Sequence, residues 1–221
     1  YGTGCIYDKI KDKIIKLGGK FKFNETVIGL NSKNKKISGI LTSKNKYIIG
    51  ENEIVISTLP ISITSRLLGK KNDLKFRGVC SVYLFYNQKE ILPKNIHWLY
   101  FDSEKTIFNR ITENKKLSKF VAPKNQSFLT AEITYSMGDS FSKKNPKEVI
   151  KQVVKDMSKT NLVDNQNLID MTINYEPYVY PVQFMDYKSE TYFIKSFIES
   201  FNNLYSVGAG GEFNYADSQI L

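Results

Sequence analysis

The sequence contains very little histidine and cysteine. Its one histidine, His97, is the only residue that a Ser-His-Asp or Cys-His triad can use, and no nucleophile elbow accompanies it. The two cysteines, Cys5 and Cys80, have no metal-ligand spacing, and there is no P-loop. The sequence therefore gives no support to a metal centre, a P-loop nucleotide hydrolase or a triad hydrolase.

Long hydrophobic runs are also missing. No apolar stretch approaches membrane-spanning length, and no secretory leader is visible, so we expect no transmembrane segment. Two thiols without such a leader predict a reducing compartment, and hence a cytoplasmic protein.

Arginine is scarce whereas lysine is abundant, and the net charge is +10. The lysines lie in Asn- and Ser-rich turns along the whole chain, so a solvated surface is favoured over a nucleic-acid patch. We therefore expect no nucleic-acid partner. The positive surface would still attract a phosphorylated small-molecule substrate.

The C-terminal stretch carries the strongest motif. Leu204 to Val207 predicts a short buried strand, and the run Gly208-Ala209-Gly210-Gly211 then predicts a turn that leads into a helix. Glycines let the main chain approach a ligand, and the free N–H groups of a helix start favour an anion. Asp217 or Ser218 can cap that helix, or Asp217 can accept a hydrogen bond from a ligand hydroxyl.

The run from Gly208 to Asp217 resembles the last FAD-contacting segment of the flavin amine oxidase, protoporphyrinogen oxidase and UDP-galactopyranose mutase superfamily. In that superfamily the glycine turn approaches the FAD pyrophosphate and ribityl chain. No Gly-x-Gly-x-x-Gly with a following acidic residue occurs in this sequence. The resemblance therefore implies an FAD cofactor, with the N-terminal FAD domain missing from these residues.

The first 69 residues add to the resemblance. Cys5 to Leu17 has helical periodicity, and Gly18-Gly19 ends it, as in the Gly-Gly-x-x-x-Leu-x-x-x-Leu helix of the superfamily. Cys5 is either a helix-start nucleophile or a small packed residue. A strand is predicted over Lys20 to Leu30, followed by a hairpin and the run Ile54 to Pro60.

The resemblance implies a set of cofactor contacts, whereas an ordinary β-meander is the alternative for Lys20 to Pro60. The predicted cofactor-binding residues are Val27, Ser57, Thr58, Pro60, Gly208, Gly210, Gly211, Glu212, Asp217 and Ser218.

The middle of the chain changes character. Val79 to Tyr86 predicts a central strand, with partners at Trp98 to Phe101, Thr106 to Thr112 and Phe128 to Thr134. Pro146 to Lys159 predicts an amphipathic helix that covers this sheet. We therefore expect an antiparallel-sheet substrate lobe.

Three residues are candidates for substrate binding. Arg110 can hold a phosphate or carboxylate with its planar guanidinium, and its segment resembles a Phe-x-Arg-x-x-Glu stretch of bacterial relatives. An Arg110–Glu113 ion pair is the structural alternative. Tyr180 lies in a Tyr-Pro-Val stretch that resembles the superfamily, and Tyr187 follows it. Both tyrosines are candidates for the substrate side of the flavin, or they pack with solvated hydroxyls.

The predicted fold class is mixed α/β (α+β), with a partial FAD-binding domain and an antiparallel-sheet substrate domain with covering helices. We place the FAD-domain remainder at 1–69, the substrate lobe at 70–187 and the C-terminal FAD segment at 188–221. No catalytic residue is assigned.

The leading function is an FAD-dependent oxidoreductase of the protoporphyrinogen or amine oxidase type, with these residues alone inactive. The alternatives are a UDP-galactopyranose mutase-like isomerase of a nucleotide sugar, and a non-catalytic binding or assembly module.

Overall fold

A computed structural model describes residues 2–102 and 104–215. Its helices are α1 (Gly4–Lys16), α2 (Ile61–Leu67), α3 (Asn114–Leu117), α4 (Pro146–Lys159), α5 (Tyr187–Glu199) and α6 (Gly208–Gly211), with a 3₁₀ turn at Asn165–Asn167. Its strands are β1 (Val27–Lys33), β2 (Lys36–Thr42), β3 (Lys46–Ile48), β4 (Val55–Ser57), β5 (Phe76–Tyr86), β6 (Trp98–Tyr100), β7 (Arg110–Glu113), β8 (Ser127–Ser136), β9 (Leu168–Pro181) and β10 (Leu204–Ser206).

The chain forms two compact units. Unit 1 contains residues 1–20 and 78–177, and unit 2 contains residues 21–77 and 178–221. The chain passes from one unit to the other three times, after residue 20, within β5 and within β9. The three-part domain division proposed from the sequence stays a prediction.

Unit 1 is built on a five-stranded sheet in the order β6-β7-β8-β5-β9. The pairs β6–β7 and β7–β8 are antiparallel, with Tyr100 opposite Arg110 and Arg110 opposite Glu132. Alternate residues of each strand face the core, so Ile111 and Glu113 are buried while Arg110 and Thr112 lie on the other face. This register places the polar side chains of three strands on one face.

Helix α4 packs its apolar stripe into the core of unit 1. Val149, Val153 and Met157 are fully buried. The helix starts as predicted. Proline has no N–H, and at the start of a helix that N–H would have no partner within the helix. The Asn145 side chain accepts the N–H of Lys147 at 2.9 Å. The amphipathic helix predicted over these residues is confirmed.

Unit 2 contains the antiparallel sheet β1-β2-β3 and a separate parallel pair, β4 and β10. Its core joins Ile37, Val55, Ile61, Ile194 and Leu204. Asn203 connects the two sheets, because its side chain accepts the N–H of Ile37 at 2.7 Å and donates to the carbonyls of Ile37 and Glu53. These contacts fix the strand β10 that precedes the glycine turn.

Two predicted strands are shorter than expected. Lys20 to Thr26 is not a strand: Asn24 has φ of 58°, and the rings of Phe21 and Phe23 stack on each other at 5.6 Å. The strand predicted from Thr106 begins only at Arg110, because the Ile107 N–H donates to the Asp156 side chain instead of to a ladder.

Among residues 2–102 and 104–215, no helix combines the length and apolar character needed to cross a membrane.

Candidate cofactor and substrate sites

The glycine turn of unit 2 follows β10 directly. The N–H of Val207 donates to the Ser57 carbonyl at 2.9 Å, which extends the β4–β10 ladder to the start of the turn. Gly208 then has φ of +83°, and no atom lies within 4 Å of the position that a Cβ would take. A residue with a side chain would be strained here, and the space in front of the main chain is open.

The turn itself is the short helix α6. The sequence predicted a turn before a helix, whereas residues 208–211 already have helical conformation. The first N–H groups of a helix have no earlier carbonyl to bond, so those of Gly208, Ala209 and Gly210 remain available to a ligand.

Gly211 is packed more tightly than Gly210. A Cβ on Gly210 would lie 3.4 Å from the Pro60 Cα, and one on Gly211 would lie 2.9 Å from the Ser206 Oγ. The Ser206 hydroxyl also donates to the Gly211 carbonyl at 3.0 Å. The Ser57–Pro60 segment and the glycine turn therefore meet by direct main-chain contact.

A cavity of about 670 Å³ opens beside this turn. Gly208, Val207 and Glu212 form one side, and helix α5 forms another. The lining residues from α5 are Tyr187, Lys188, Thr191, Tyr192 and Lys195. The Lys195 ammonium forms an ion pair with the Glu212 carboxylate, so one cation in the cavity is already balanced.

The predicted cofactor residues do not all lie at this cavity. Gly208 and Glu212 line it, and Pro60 packs on Gly210 behind it. The hydroxyl of Ser57 is buried and bonds the Thr64 hydroxyl at 2.9 Å, so its carbonyl, and not its side chain, supports the turn.

Thr58 is exposed, and Val27 lies in β1, where it pairs with Thr42. Asp217 and Ser218 lie outside the described residues. The cofactor roles of these four residues, like those of the six residues at the glycine turn and the Ser57–Pro60 segment, stay predictions.

The residues present fit a dinucleotide. The open glycine turn offers main-chain donors to a pyrophosphate, and the cavity volume lies within the roughly 300–1,000 Å³ typical of ligand sites. Lys188 adds positive charge on the α5 side. In the described part of the chain, no three His, Cys, Asp or Glu side chains group closely enough to hold a metal ion.

A second cavity, of about 460 Å³, lies on the polar face of the unit 1 sheet. Its lining includes two exposed aromatic residues, Trp98 and Tyr100, together with Arg110, Thr112 and Glu132. Residues Trp98 and Tyr100 share this face because they are two apart on β6.

Arg110 is held by Glu132. Its Nη2 donates to both carboxylate oxygens, at 2.7 and 2.6 Å, and its Nη1 lies 3.3 Å from the Tyr100 hydroxyl. The hydrogen bond to Glu132 raises the pKa of Arg110, so the guanidinium stays charged. Its Nε is buried and makes no hydrogen bond within the described residues. Because this Nε is out of reach of a ligand, the donor that Arg110 keeps for one is the second N–H of Nη1.

The Arg110–Glu113 ion pair considered from the sequence is wrong. Glu113 points into the core and accepts the N–H groups of Ile91 and Leu92 and the hydroxyl of Ser127. Neighbouring residues on a strand face opposite sides, and three positions along β7 therefore place Arg110 and Glu113 apart.

The two candidate tyrosines lie in unit 2. Tyr187 lines the cavity beside the glycine turn, with its ring 6.1 Å from that of Phe213. Tyr180 packs edge-to-face on Tyr215 at 5.4 Å. Their substrate roles, like that of Arg110 in unit 1, stay predictions.

Sequence reasoning missed Lys195 and Glu132. Lys195 did have a signal, because Lys188, Thr191, Tyr192 and Lys195 follow helical spacing and lie along one side of α5. The glycine-turn motif does not include these residues. Glu132 has no local signal, because only the β7–β8 register places it opposite Arg110.

No family model matches the chain, and no curated protein matches its sequence. Among solved structures, a reduced UDP-galactopyranose mutase gives a TM-score of 0.79 over 97% of this chain and 47% of its own, at 20% identity. A protoporphyrinogen oxidase-like protein from Exiguobacterium sp. gives 0.69 over 92% and 46%, at 12% identity.

An oxidoreductase from Methanosarcina mazei gives a TM-score of 0.57 over 92% of this chain and 48% of its own, at 15% identity. The chain thus spans about half the length of each of these proteins. Two of the three are enzymes named in the superfamily that the glycine turn resembles. The predicted mixed α/β fold and the structural resemblance are confirmed.

Proposed function

We propose that the chain is part of an FAD-dependent oxidoreductase of the protoporphyrinogen or amine oxidase type. The observation that carries the proposal is the open glycine turn at Gly208, with available N–H groups beside a cavity of about 670 Å³. The fold supports the proposal, because solved structures of similar fold include an oxidoreductase and a protoporphyrinogen oxidase-like protein.

In this proposal the chain binds and orients FAD. The main-chain N–H groups of Gly208 to Gly210 hold the pyrophosphate, and Lys188 adds charge to that end of the cavity. Lys195 and Glu212 hold α5 against the glycine turn through their ion pair. The bound flavin supplies the hydride acceptor for substrate oxidation.

Arg110 is the proposed substrate anchor. Its Nη2 is fixed by Glu132, so the second N–H of Nη1 can donate to an acceptor without the loss of rotamer freedom that a mobile arginine would undergo. A phosphorylated substrate fits this chemistry and the net charge of +10. Independently of Arg110, Tyr187 and Tyr180 of unit 2 are proposed for the substrate side of the flavin.

The second candidate is a flavin-dependent mutase acting on a nucleotide sugar. It is favoured by the higher TM-score, 0.79, with the mutase over 97% of the chain. The glycine turn speaks against it, because the mutase motif carries an arginine and a leucine where Ala209 and Gly210 stand.

The test is the visible absorbance spectrum, with and without added FAD, of residues 1–221 and of the longest reading frame that contains them. A flavin spectrum in the longer protein supports the proposal. Substrate-dependent bleaching by an amine or a porphyrinogen then indicates the oxidoreductase, and conversion of a nucleotide sugar by the reduced protein indicates the mutase. If neither protein retains flavin, the proposal fails and a non-catalytic binding module becomes the better reading.

A further inference from the structure

The two edges of the unit 1 sheet differ in length. In the order β6-β7-β8-β5-β9, the outer strands are β6, with three residues, and β9, with 14. The part of β9 that belongs to unit 1 begins at Leu168 and includes Glu176. Within residues 2–102 and 104–215, β9 has no strand partner other than β5. The outer main-chain groups of this part of β9 are therefore open to another strand.

This edge lacks the usual protection of an edge strand. Proteins keep such edges from pairing with other chains by making them short or by placing lysine or proline on them. The chain has 32 Lys and Arg residues, yet none lies between Lys159 and Lys188, and the first proline of β9 is Pro177. Nine consecutive residues of the edge thus carry neither device.

The same span is acidic in a basic protein. Between Lys159 and Lys188 the charge is −4, whereas the whole chain carries +10, so the other residues carry +14. The acidic residues of the span are Asp164, Asp170, Glu176 and Asp186. Among the described residues, the two carboxylates in β9 form no ion pair. A cationic segment is therefore attracted to this edge and repelled by the rest of the surface.

The two faces of the edge differ in chemistry. Alternate residues of a strand share a face, and the exposed polar face of β9 consists of Asp170, Thr172, Asn174 and Glu176. The opposite face packs Ile173 and Tyr175 against the unit 1 core. Ile169 and Met171 continue that apolar face but are 52% and 41% exposed. An added strand would meet two carboxylates about 20 Å apart on one face and apolar side chains on the other.

We propose that β9 of unit 1 receives an added strand from a partner protein, in which two basic residues six positions apart flank alternating apolar residues. In antiparallel addition the basic residues lie opposite Asp170 and Glu176, and the apolar ones lie opposite Met171, Ile173 and Tyr175. Main-chain hydrogen bonds supply the affinity, and the cross-strand side-chain pairs supply the specificity. The inference goes beyond the proposed function and involves neither FAD nor the Arg110 cavity.

A second copy of the chain fits this edge less well. Two β9 strands paired about a two-fold axis at Ile173 would place Asp170 of each copy opposite Glu176 of the other. Like charges directly opposite each other destabilise a strand pair. The charge pattern therefore favours a different, basic partner.

Binding of a synthetic peptide tests the proposal. The probe is the fluorescein-labelled peptide Lys-Val-Thr-Val-Thr-Val-Lys-Val, and the control peptide has Glu in place of both Lys. Two further probes are N-methylated at the odd or at the even positions, because only one of these sets can donate hydrogen bonds to β9. Fluorescence anisotropy is measured with residues 1–221 and with the longest reading frame that contains them.

We expect the Lys peptide to bind both proteins saturably and the Glu peptide to bind at least about tenfold more weakly. One N-methylated set should abolish binding, and the other should retain it. In Asp170→Lys/Glu176→Lys the preference should reverse, with the Glu peptide binding more tightly than the Lys peptide. Asp12→Lys/Glu51→Lys is the matched control, because it changes the net charge equally at exposed positions outside β9 and should keep the original preference.

Four results would overturn the proposal. No saturable binding up to about 1 mM would remove the site. An equal loss with both N-methylated sets would show that the peptide does not bind as a strand. Binding to residues 1–221 but not to the longer protein would show that another part of the same protein covers the edge. Dimerisation of residues 1–221 that blocks the peptide would make a second copy the occupant.

Discussion

The two cavities differ in which part of the residues bounds them, main chain in one and side chains in the other. The cavity beside the glycine turn is bounded by main chain, with Gly208 open and Gly211 packed tightly behind it. The cavity on the unit 1 sheet is bounded by side chains, with Arg110 held by Glu132 between exposed aromatic residues. Substitutions that add a side chain should therefore affect the cavity beside the glycine turn most, and substitutions that remove one should affect the cavity on the unit 1 sheet most.

The largest effect should come from adding a side chain behind the glycine turn. Gly211→Val places a branched side chain where a Cβ is already 2.9 Å from the Ser206 Oγ. We expect the free energy of unfolding to fall by about 3 kcal/mol, the upper end for overpacking, as measured by urea denaturation. Ala209→Ser is the control in the same turn and should change stability little. An unchanged urea midpoint for Gly211→Val would contradict the tight packing.

Removing a side chain should have the next largest effect, at the other cavity. Glu132→Ala leaves the Arg110 guanidinium without its main partner. Both side chains are partly exposed, at 32% and 18%, so we expect a loss of only about 1–2 kcal/mol. A double-mutant cycle with Arg110→Ala measures the coupling. A coupling energy near zero would mean that Glu132 does not hold Arg110 in solution.

An effect on stability of about the same size is expected at the open end of the glycine turn. Gly208→Ala meets no atom, and its cost comes from the positive φ alone, about 1–2 kcal/mol. Under the proposed function its effect on FAD retention should exceed its effect on stability, since the methyl group lies where the pyrophosphate would approach. FAD titration of the longer protein measures this, and unchanged retention would place the pyrophosphate elsewhere.

The smallest effect should come from removing the Tyr100 hydroxyl. Tyr100→Phe removes a hydroxyl that is 3.3 Å from the Arg110 Nη1 and belongs to an exposed residue. We expect a change below about 0.5 kcal/mol in the urea experiment. A loss of stability comparable with that of Glu132→Ala would show that Tyr100 contributes as much as Glu132 to fixing Arg110.

Local signals predicted the fold well where the sequence itself determines the element. Helix α4 has matching boundaries because Asn145, Pro146 and a regular apolar stripe all indicate the same helix. The predicted strand from Lys20 failed because the alternation of Phe21 and Phe23 is followed by Asn24 in a left-handed conformation. That conformation depends on the surroundings and leaves no mark in the local pattern.

The candidate sites were only partly predictable, for a related reason. The glycine turn was found because its chemistry lies in consecutive residues. The partner of Arg110 was missed because Glu132 is 22 positions away and meets it only through strand register. Lys195 and Glu212 are likewise joined by the fold and not by spacing in the sequence.

Helix α1 shows that the sequence pattern can predict a helix without predicting whether the helix is buried. Its apolar residues Ile6, Ile10 and Ile14 recur as they do in α4, yet none of its residues is buried. Periodicity predicted the helix correctly in both cases. It contains no information about whether a packing partner is present.

Trp98 is the only tryptophan of the chain, and it stands at the rim of the Arg110 cavity. When tryptophan is excited selectively over the 14 tyrosines, the emission of these residues therefore reports on one location and not on an average over the fold. Its side chain is half exposed, so a molecule that settles on this face should shift or quench the emission, while binding at the unit 2 cavity has no tryptophan of its own to perturb. The protein thus contains a built-in optical probe for candidate substrates, and no label has to be introduced to use it.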